Sequence, residues 1–383
     1  MEHTRNPTNK ETLCVHSGTH HDAATRGMNT PIYTSSSFEY LDRQDCPYPR
    51  YFNTPNQDAV IAKLCALEGA EDGVLFSSGM AAISTAVLAF AGAGDHVVMM
   101  DELYGGTHAF ATEAFERLGI RFSFVATDAE AVSEAMTPAT KVVVIESPTN
   151  PLLGVIDIRR VAEFGKARHA VTIIDNTFAT PVNQTPLRLG IDVVVHSGTK
   201  YLGGHSDLCC GAALTHSAHA SRIRDMARHL GGSLNAITCY LLERSLKTLA
   251  VRVERQSQNA MRVAQWLSQQ KGVTRINYPG LTEFPGHSVA KAQMQGFGGM
   301  LSFELDPSMI DTAGFLRRLK LIRPALSLGG VETLICAPAE TSHAKISAEE
   351  RRRIGIRDSL LRLSVGIEHV QDLIDDLQRG FQA

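Results

Sequence analysis

From about position 57 onward the apolar residues fall into two alternating rhythms. Segments 57–69, 80–91 and 106–118 place them three and four apart and predict helices. Between these lie short runs rich in Val, Phe and Met at 73–76, 96–99 and 122–125, which predict strands. The alternation continues through 141–145, 158–168, 171–174 and 192–196, and past a Gly-rich turn reaches a further strand at 212–215. Runs such as Val142-Val143-Val144-Ile145 and Val193-Val194-Val195 show no polar alternation. Strands of that kind are expected to be buried on both faces, hence a mainly parallel sheet covered by helices.

The pattern differs at both ends. Residues 1–52 are polar, rich in Thr, Ser, Pro and Asn, and carry no sustained period, which predicts an extended N-terminal arm. An arm of that length is out of place inside a compact domain and is expected to pack on a neighbouring subunit. From 233 to 270 the pattern is helical. Beyond 272 short strands mix with helices (300–305, 312–319, 362–365, 370–379). The division expected is an arm (1–52), a large domain (53–245) and a smaller C-terminal α/β domain (246–383).

Composition narrows the function class. Basic and acidic residues nearly balance, 37 against 40, for a formal charge of −3, so nucleic acid and membrane surfaces are not expected partners. The first ten residues lack an apolar signal core and no stretch approaches the ~20 apolar residues of a bilayer span, so a cytoplasmic protein is expected. Seven cysteines, at 14, 46, 65, 209, 210, 239 and 336, show no spacing typical of a metal site, and no metal is expected. The adjacent Cys209 and Cys210 are expected to pack on a buried strand.

In open α/β sheets ligands gather at the carboxyl ends of strands, so polar residues directly after buried runs come first. Asp175 follows the run 171–174, and Lys200 follows 193–195 through His196-Ser197-Gly198-Thr199. A lysine and a carboxylate so placed suit pyridoxal 5'-phosphate (PLP): the lysine forms a Schiff base, and the acid keeps the pyridine nitrogen protonated. Ser197 and Thr199 offer hydroxyls to a phosphate. Where a strand opens into a helix, Ser77-Ser78-Gly79-Met80 offers a further anion site, with first-turn N–H groups and the helix dipole behind them. The ordinary readings are a helix cap for Asp175, a core aromatic for Tyr104, a surface ion pair for Arg50 and a turn residue for Ser327.

Over almost its whole length the chain resembles the Cys/Met-metabolism PLP family of cystathionine γ-synthases, cystathionine γ- and β-lyases, methionine γ-lyases and O-acylhomoserine sulfhydrylases. The resemblance is carried by VVHSGTKYLGGHSD at 194–207, with SGMAA at 78–82, LYGGT at 103–107, ESPTNP at 146–151, DNTF at 175–178, SLGG at 327–330 and LRLSVG at 361–366. It implies the aspartate-aminotransferase-like fold (fold type I) and the cofactor PLP. It makes Lys200 the Schiff-base lysine and proton shuttle, Asp175 the partner of the pyridinium nitrogen, and Tyr104 the residue that stacks on the ring and assists proton transfer. Gly79, Met80, Ser197 and Thr199 would hold the phosphate, joined by Tyr48 and Arg50 reaching from a neighbouring subunit. Arg362, Asn150 and Ser327 would bind the substrate carboxylate. A homotetramer built as a dimer of active dimers is implied as well.

Departures from the family pattern bear on substrate. Pro47 and Leu326 stand where cystathionine-handling γ-enzymes often carry glutamates, which leans toward a substrate without a distal ammonium. The loop Gly105-Gly106-Thr107-His108 lacks the cysteine common in methionine γ-lyases, and Leu326 is not the aromatic associated with β-lyases. The Asn-Pro-Thr usual after the arm's arginine is absent, although Tyr48, Arg50 and Asn53 keep their spacing. The expected activity is γ-elimination or γ-replacement on a homoserine-derived amino acid. The alternatives are an oxygen-linked γ-substituent such as that of canavanine or O-acylhomoserine, a cystathionine β-lyase, or a non-catalytic protein that binds a phosphate ligand.

Overall fold

The computed structural model describes residues 9–341, 344 and 347–382, so the first eight residues of the arm lie outside it. Seven strands form the large sheet: β1 (Asp72–Phe76), β2 (His96–Met100), β3 (Arg121–Val125), β4 (Thr140–Glu146), β5 (Val171–Asp175), β6 (Val193–Ser197) and β7 (Gly211–Thr215). Their order is β1-β7-β6-β5-β4-β2-β3. All neighbours are parallel except the two pairs involving β7. The unbroken apolar runs are the reason: Val142 to Ile145 and Val193 to Val195 are each at most 2% exposed, so both faces of the sheet are covered.

The covering helices show why they start where they do. Helix α1 (Lys10–His16) precedes α2 (Pro55–Glu68), which opens with Pro55 at its first position and with Gln57 Oε1 accepting the Thr54 N–H at 3.0 Å. It closes at Gly69, whose φ of 77° suits a residue without Cβ. Helix α3 (Gly79–Phe90) is capped by Ser78, whose hydroxyl accepts the Ala81 N–H at 3.0 Å. Helix α4 (Gly105–Phe110) begins at Tyr104.

Three local expectations need correction. The arm is not wholly extended, since α1 lies within it; seven residues that bury only Cys14 leave no period to read. The helix expected over 106–118 is α-helical only to Phe110, and a π-helical turn follows at Ala111–Phe115. Cys209 is exposed and only Cys210 is buried, because β7 begins one residue later, at Gly211.

After two helices at Ala236–Leu246 and Leu249–Leu267, a second sheet is built from β8 (Val273–Asn277), β9 (Met300–Leu305), β10 (Arg323–Pro324), β11 (Leu334–Cys336) and β12 (Leu360–Ser364). Its order is β10-β11-β12-β9-β8. It has its own core, in which Leu301, Phe303, Leu361 and Leu363 pack against Val263 and Leu267 of one helix and Leu373 and Leu377 of another. The protein is thus α/β, with a large, mostly parallel sheet and a second, smaller sheet. Among the described residues no helix is long and apolar enough to cross a membrane.

Candidate active site

Parallel strands bring their carboxyl ends to one edge of a sheet, and the polar residues that follow the apolar runs meet there. β4 and β5 pair in register so that their last residues, Glu146 and Asp175, lie side by side. β6 ends at Ser197, and the turn after it carries Lys200, whose N–H donates to Ser197 O at 3.1 Å and whose carbonyl accepts the Gly204 N–H at 2.7 Å. The Lys200 ammonium donates to Ser327 Oγ at 3.0 Å. Burial lowers the Lys200 pKa, and the Arg362 charge lowers it further.

The two carboxyl groups differ in surroundings. Burial raises the pKa of Asp175, against the Thr177 hydroxyl and N–H (2.9 Å) that donate to it and the nearby His196. Glu146 is pushed well above the ordinary carboxylate range, first by burial and then by the charge of Asp175. Its Oε2 accepts the backbone N–H of Tyr104 at 2.9 Å. The side chain of Tyr104 is 44% exposed, which rules out the reading as a core aromatic.

Arg362 comes from β12 of the second sheet and is buried. Its Nη1 donates to Asn150 Oδ1 at 2.8 Å and its Nη2 to the Ser327 carbonyl at 3.1 Å. Ser327 holds a φ of 77°, a conformation costly for a residue with a Cβ and characteristic of sites that must place a group against local preference. The Arg362 Nε is buried and has no hydrogen-bond partner among the described residues. Lys200, Ser327, Arg362 and Asn150 therefore form one connected set that bridges the two sheets.

The residues expected to hold an anion meet at the start of α3. Gly79 packs so closely on β6 that a Cβ there would lie 2.7 Å from Ser197 Cβ and 2.9 Å from Ser197 Cα. Met80 follows, its Sδ 3.9 Å from the Thr107 hydroxyl of α4. The Thr199 hydroxyl donates to Cys210 O at 3.2 Å and accepts the Cys210 N–H at 3.1 Å, fastening the turn to β7. Tyr48 and Arg50 stand apart from this group. The Tyr48 N–H donates to Asn53 Oδ1 at 2.9 Å, and Arg50 Nη1 donates to the Arg228 carbonyl at 2.7 Å, its guanidinium lying over the rings of Tyr48 and Tyr51.

Glu146 is the residue that sequence reasoning noted only as part of a motif. It ends the buried run of β4 as Asp175 ends that of β5, so the same rule would have found it. Sequence reasoning also missed a second buried group: Glu68 of α2 accepts from His196 Nε2 at 2.6 Å and from Asn176 Nδ2 at 2.9 Å, tying β6 and the residue after β5 to α2.

These residues fit PLP. A buried guanidinium nitrogen still lacking an acceptor suits a carboxylate, a partly desolvated lysine suits a Schiff base, and a helix N-terminus that only glycine can bring against Ser197 suits a phosphate. Comparison with known proteins agrees. The sequence model of the Cys/Met metabolism PLP-dependent enzymes matches residues 11–382. A cystathionine beta-lyase of Coxiella burnetii is 43% identical over 96% of this chain and 96% of its own length. A cystathionine gamma-lyase of Bacillus subtilis is also 43% identical, over 97% of this chain and 99% of its own length. The crystal structure of cystathionine gamma-lyase from Lactobacillus plantarum complexed with L-serine superposes with a TM-score of 0.94 at 41% identity, covering 97% of this chain and 98% of that one. This chain belongs to the Cys/Met metabolism PLP-dependent enzymes.

Proposed function

We propose that this PLP-dependent enzyme removes or exchanges the γ-substituent of a homoserine-derived amino acid, with Lys200 as its Schiff-base lysine. The observation that carries the γ assignment is Leu326, an aliphatic side chain 65% exposed beside Ser327, the residue hydrogen-bonded to Lys200. It offers neither an acid for a distal ammonium nor an aromatic wall. Overall identity does not discriminate, since relatives named beta-lyase and gamma-lyase are equally similar.

Bound PLP supplies an electron sink for negative charge developing on the substrate. The chain's own residues do the rest. Arg362, held by Asn150 and the Ser327 carbonyl and with its Nε still lacking an acceptor, would take the substrate carboxylate. Lys200, its pKa lowered by burial and by Arg362, is a competent base for the Cα proton and, once protonated, an acid for the leaving group. Asp175 would keep the ring nitrogen protonated, and Tyr104, exposed at the head of α4, would lie against the ring and assist proton transfer. Gly79, Met80, Ser197 and Thr199 hold the phosphate, with Tyr48 and Arg50 of a neighbouring copy.

The exposure of Tyr48 and Arg50, neither bonded to the Lys200 set of its own chain, supports their reaching a neighbouring copy, and the family resemblance extends this to a homotetramer of paired active dimers. We place the arm at 1–52, the large PLP-binding domain at 53–245 and the C-terminal domain at 246–383, and the enzyme in the cytoplasm. The test is product identification after incubation with PLP and cystathionine, methionine, O-acetylhomoserine with and without cysteine, or canavanine. We expect 2-oxobutyrate or a γ-replaced product. Pyruvate from cystathionine as the dominant product would make the enzyme a β-lyase and overturn the reading of Leu326.

A further inference from the structure

Glu146 touches three of the residues proposed above yet has no part in the chemistry assigned to them. It is 5% exposed at the end of β4. Its Oε2 accepts the Tyr104 N–H at 2.9 Å, the nearby backbone N–H of Asn150 favours its charged form, and Asp175 is its in-register neighbour on β5. Glu102, itself half enclosed and accepting the Thr149 hydroxyl at 2.9 Å, adds negative charge nearby. Glu146 is buried and Asp175 half-buried on the adjacent strand end, and burial together with their mutual charge disfavours ionising both. A cofactor whose ring nitrogen bears a proton needs the charge at Asp175, and that leaves the proton to Glu146.

We propose that Glu146 is a positioning residue of this site, acting as a neutral carboxylic acid that fixes Tyr104 through its backbone N–H group while the negative charge stays on Asp175. The inference rests on the PLP site proposed above. A neutral acceptor of the same shape should serve as well as glutamate, whereas loss of the acceptor leaves the Tyr104 N–H without its partner.

The experiment compares Glu146→Gln and Glu146→Ala with the wild-type holoenzyme, measuring the PLP dissociation constant and the visible circular dichroism of the bound cofactor. The latter reports ring placement and is indifferent to general stability. We expect Glu146→Gln to stay within about threefold of wild type with an unchanged dichroism band. We expect Glu146→Ala to weaken PLP binding by about tenfold or more and to alter that band. If Glu146→Gln loses as much as Glu146→Ala, the site uses a carboxylate charge at position 146 and the proposal falls. It falls equally if Glu146→Ala matches wild type. Thermal unfolding of the apoproteins shows whether Glu146→Ala folds; where it does not, Glu146→Gln alone decides, its retention of affinity and band supporting the proposal and their loss overturning it. Failure of the underlying site reading looks different: the wild-type chain itself would show no borohydride-sensitive visible absorbance with PLP.

Discussion

A guanidinium buried between two sheets must have its charge answered, and at Arg362 the contacts are uneven. Two nitrogens donate to neutral oxygens of Asn150 and Ser327, the third donates to nothing among the described residues, and the nearest cation is the Lys200 ammonium whose pKa it depresses. The sign of that coupling gives a prediction. Only the neutral amine attacks an aldehyde, so a lowered pKa speeds PLP capture near neutrality. Removing the Arg362 charge moves the Lys200 pKa upward and leaves less neutral amine at pH 7. We expect the apoprotein of Arg362→Leu to capture PLP several-fold more slowly at pH 7, with its rate profile displaced to higher pH. Stopped-flow absorbance across pH checks this; an unmoved profile would mean that burial alone sets the lysine. Legibility at this scale followed local context. Lys200 and Asp175 each sit one short step after an unbroken apolar run, so position on the chain marks them. Arg362 lies inside a strand of the other sheet, and nothing local distinguishes it; the resemblance alone pointed there. Glu146 obeyed the same rule as Asp175, but a carboxylate that serves a backbone N–H has no partner that sequence can show.

At the level of elements, the approach of α3 to β6 is the feature on which the anion end depends. A glycine at the first position of a helix is ordinarily worth replacing: alanine there gains up to about 1 kcal/mol of helix propensity. At Gly79 the added carbon would sit 2.7 Å from Ser197 Cβ and 2.9 Å from Ser197 Cα, and since the Cα is backbone the strand cannot simply turn a side chain aside. Overpacking of that kind costs about 1–3 kcal/mol, so the clash outweighs the propensity gain. We expect Gly79→Ala to lower the melting temperature and to weaken PLP binding by about tenfold or more, because the helix start moves away from Ser197. Equal or higher stability with wild-type PLP affinity would show that α3 shifts without disturbing the anion end. The elements themselves were readable where the pattern was long, as in the Val-rich strands and the helices over 57–69 and 80–91. They were not where contacts beyond the segment decide: α1 buries a single cysteine, and the π-helical turn at Ala111–Phe115 keeps the same apolar spacing as an α-helix.

For the whole molecule, the arm is where the surface departs from that of a self-sufficient chain. Met28, Ile32, Tyr33, Tyr40, Leu41, Tyr48 and Tyr51 are all exposed large apolar residues within one stretch. So many exposed apolar side chains along one segment suit a surface that a second molecule covers, and the prediction tests this. Arg50 lies in the same stretch, held against the end of the helix Ser217–Leu230 and not against the Lys200 set of its own chain. If the arm completes the site of a neighbouring copy, Arg50→Ala and Lys200→Ala damage different chains' contributions to the same site, and the two variants should complement. Each alone is expected to lose nearly all activity. In a random one-to-one mixture half of the paired subunits are hybrids, and in each hybrid one site receives both intact residues while the other receives both substitutions. Roughly one quarter of the wild-type activity per site is therefore expected after the two are dissociated and reassembled together. An arm that served its own chain would leave one defect in every site of every combination, and mixing would restore nothing. Activity after co-refolding, set against the separately refolded variants, distinguishes the two arrangements without any reference to the oligomer's size.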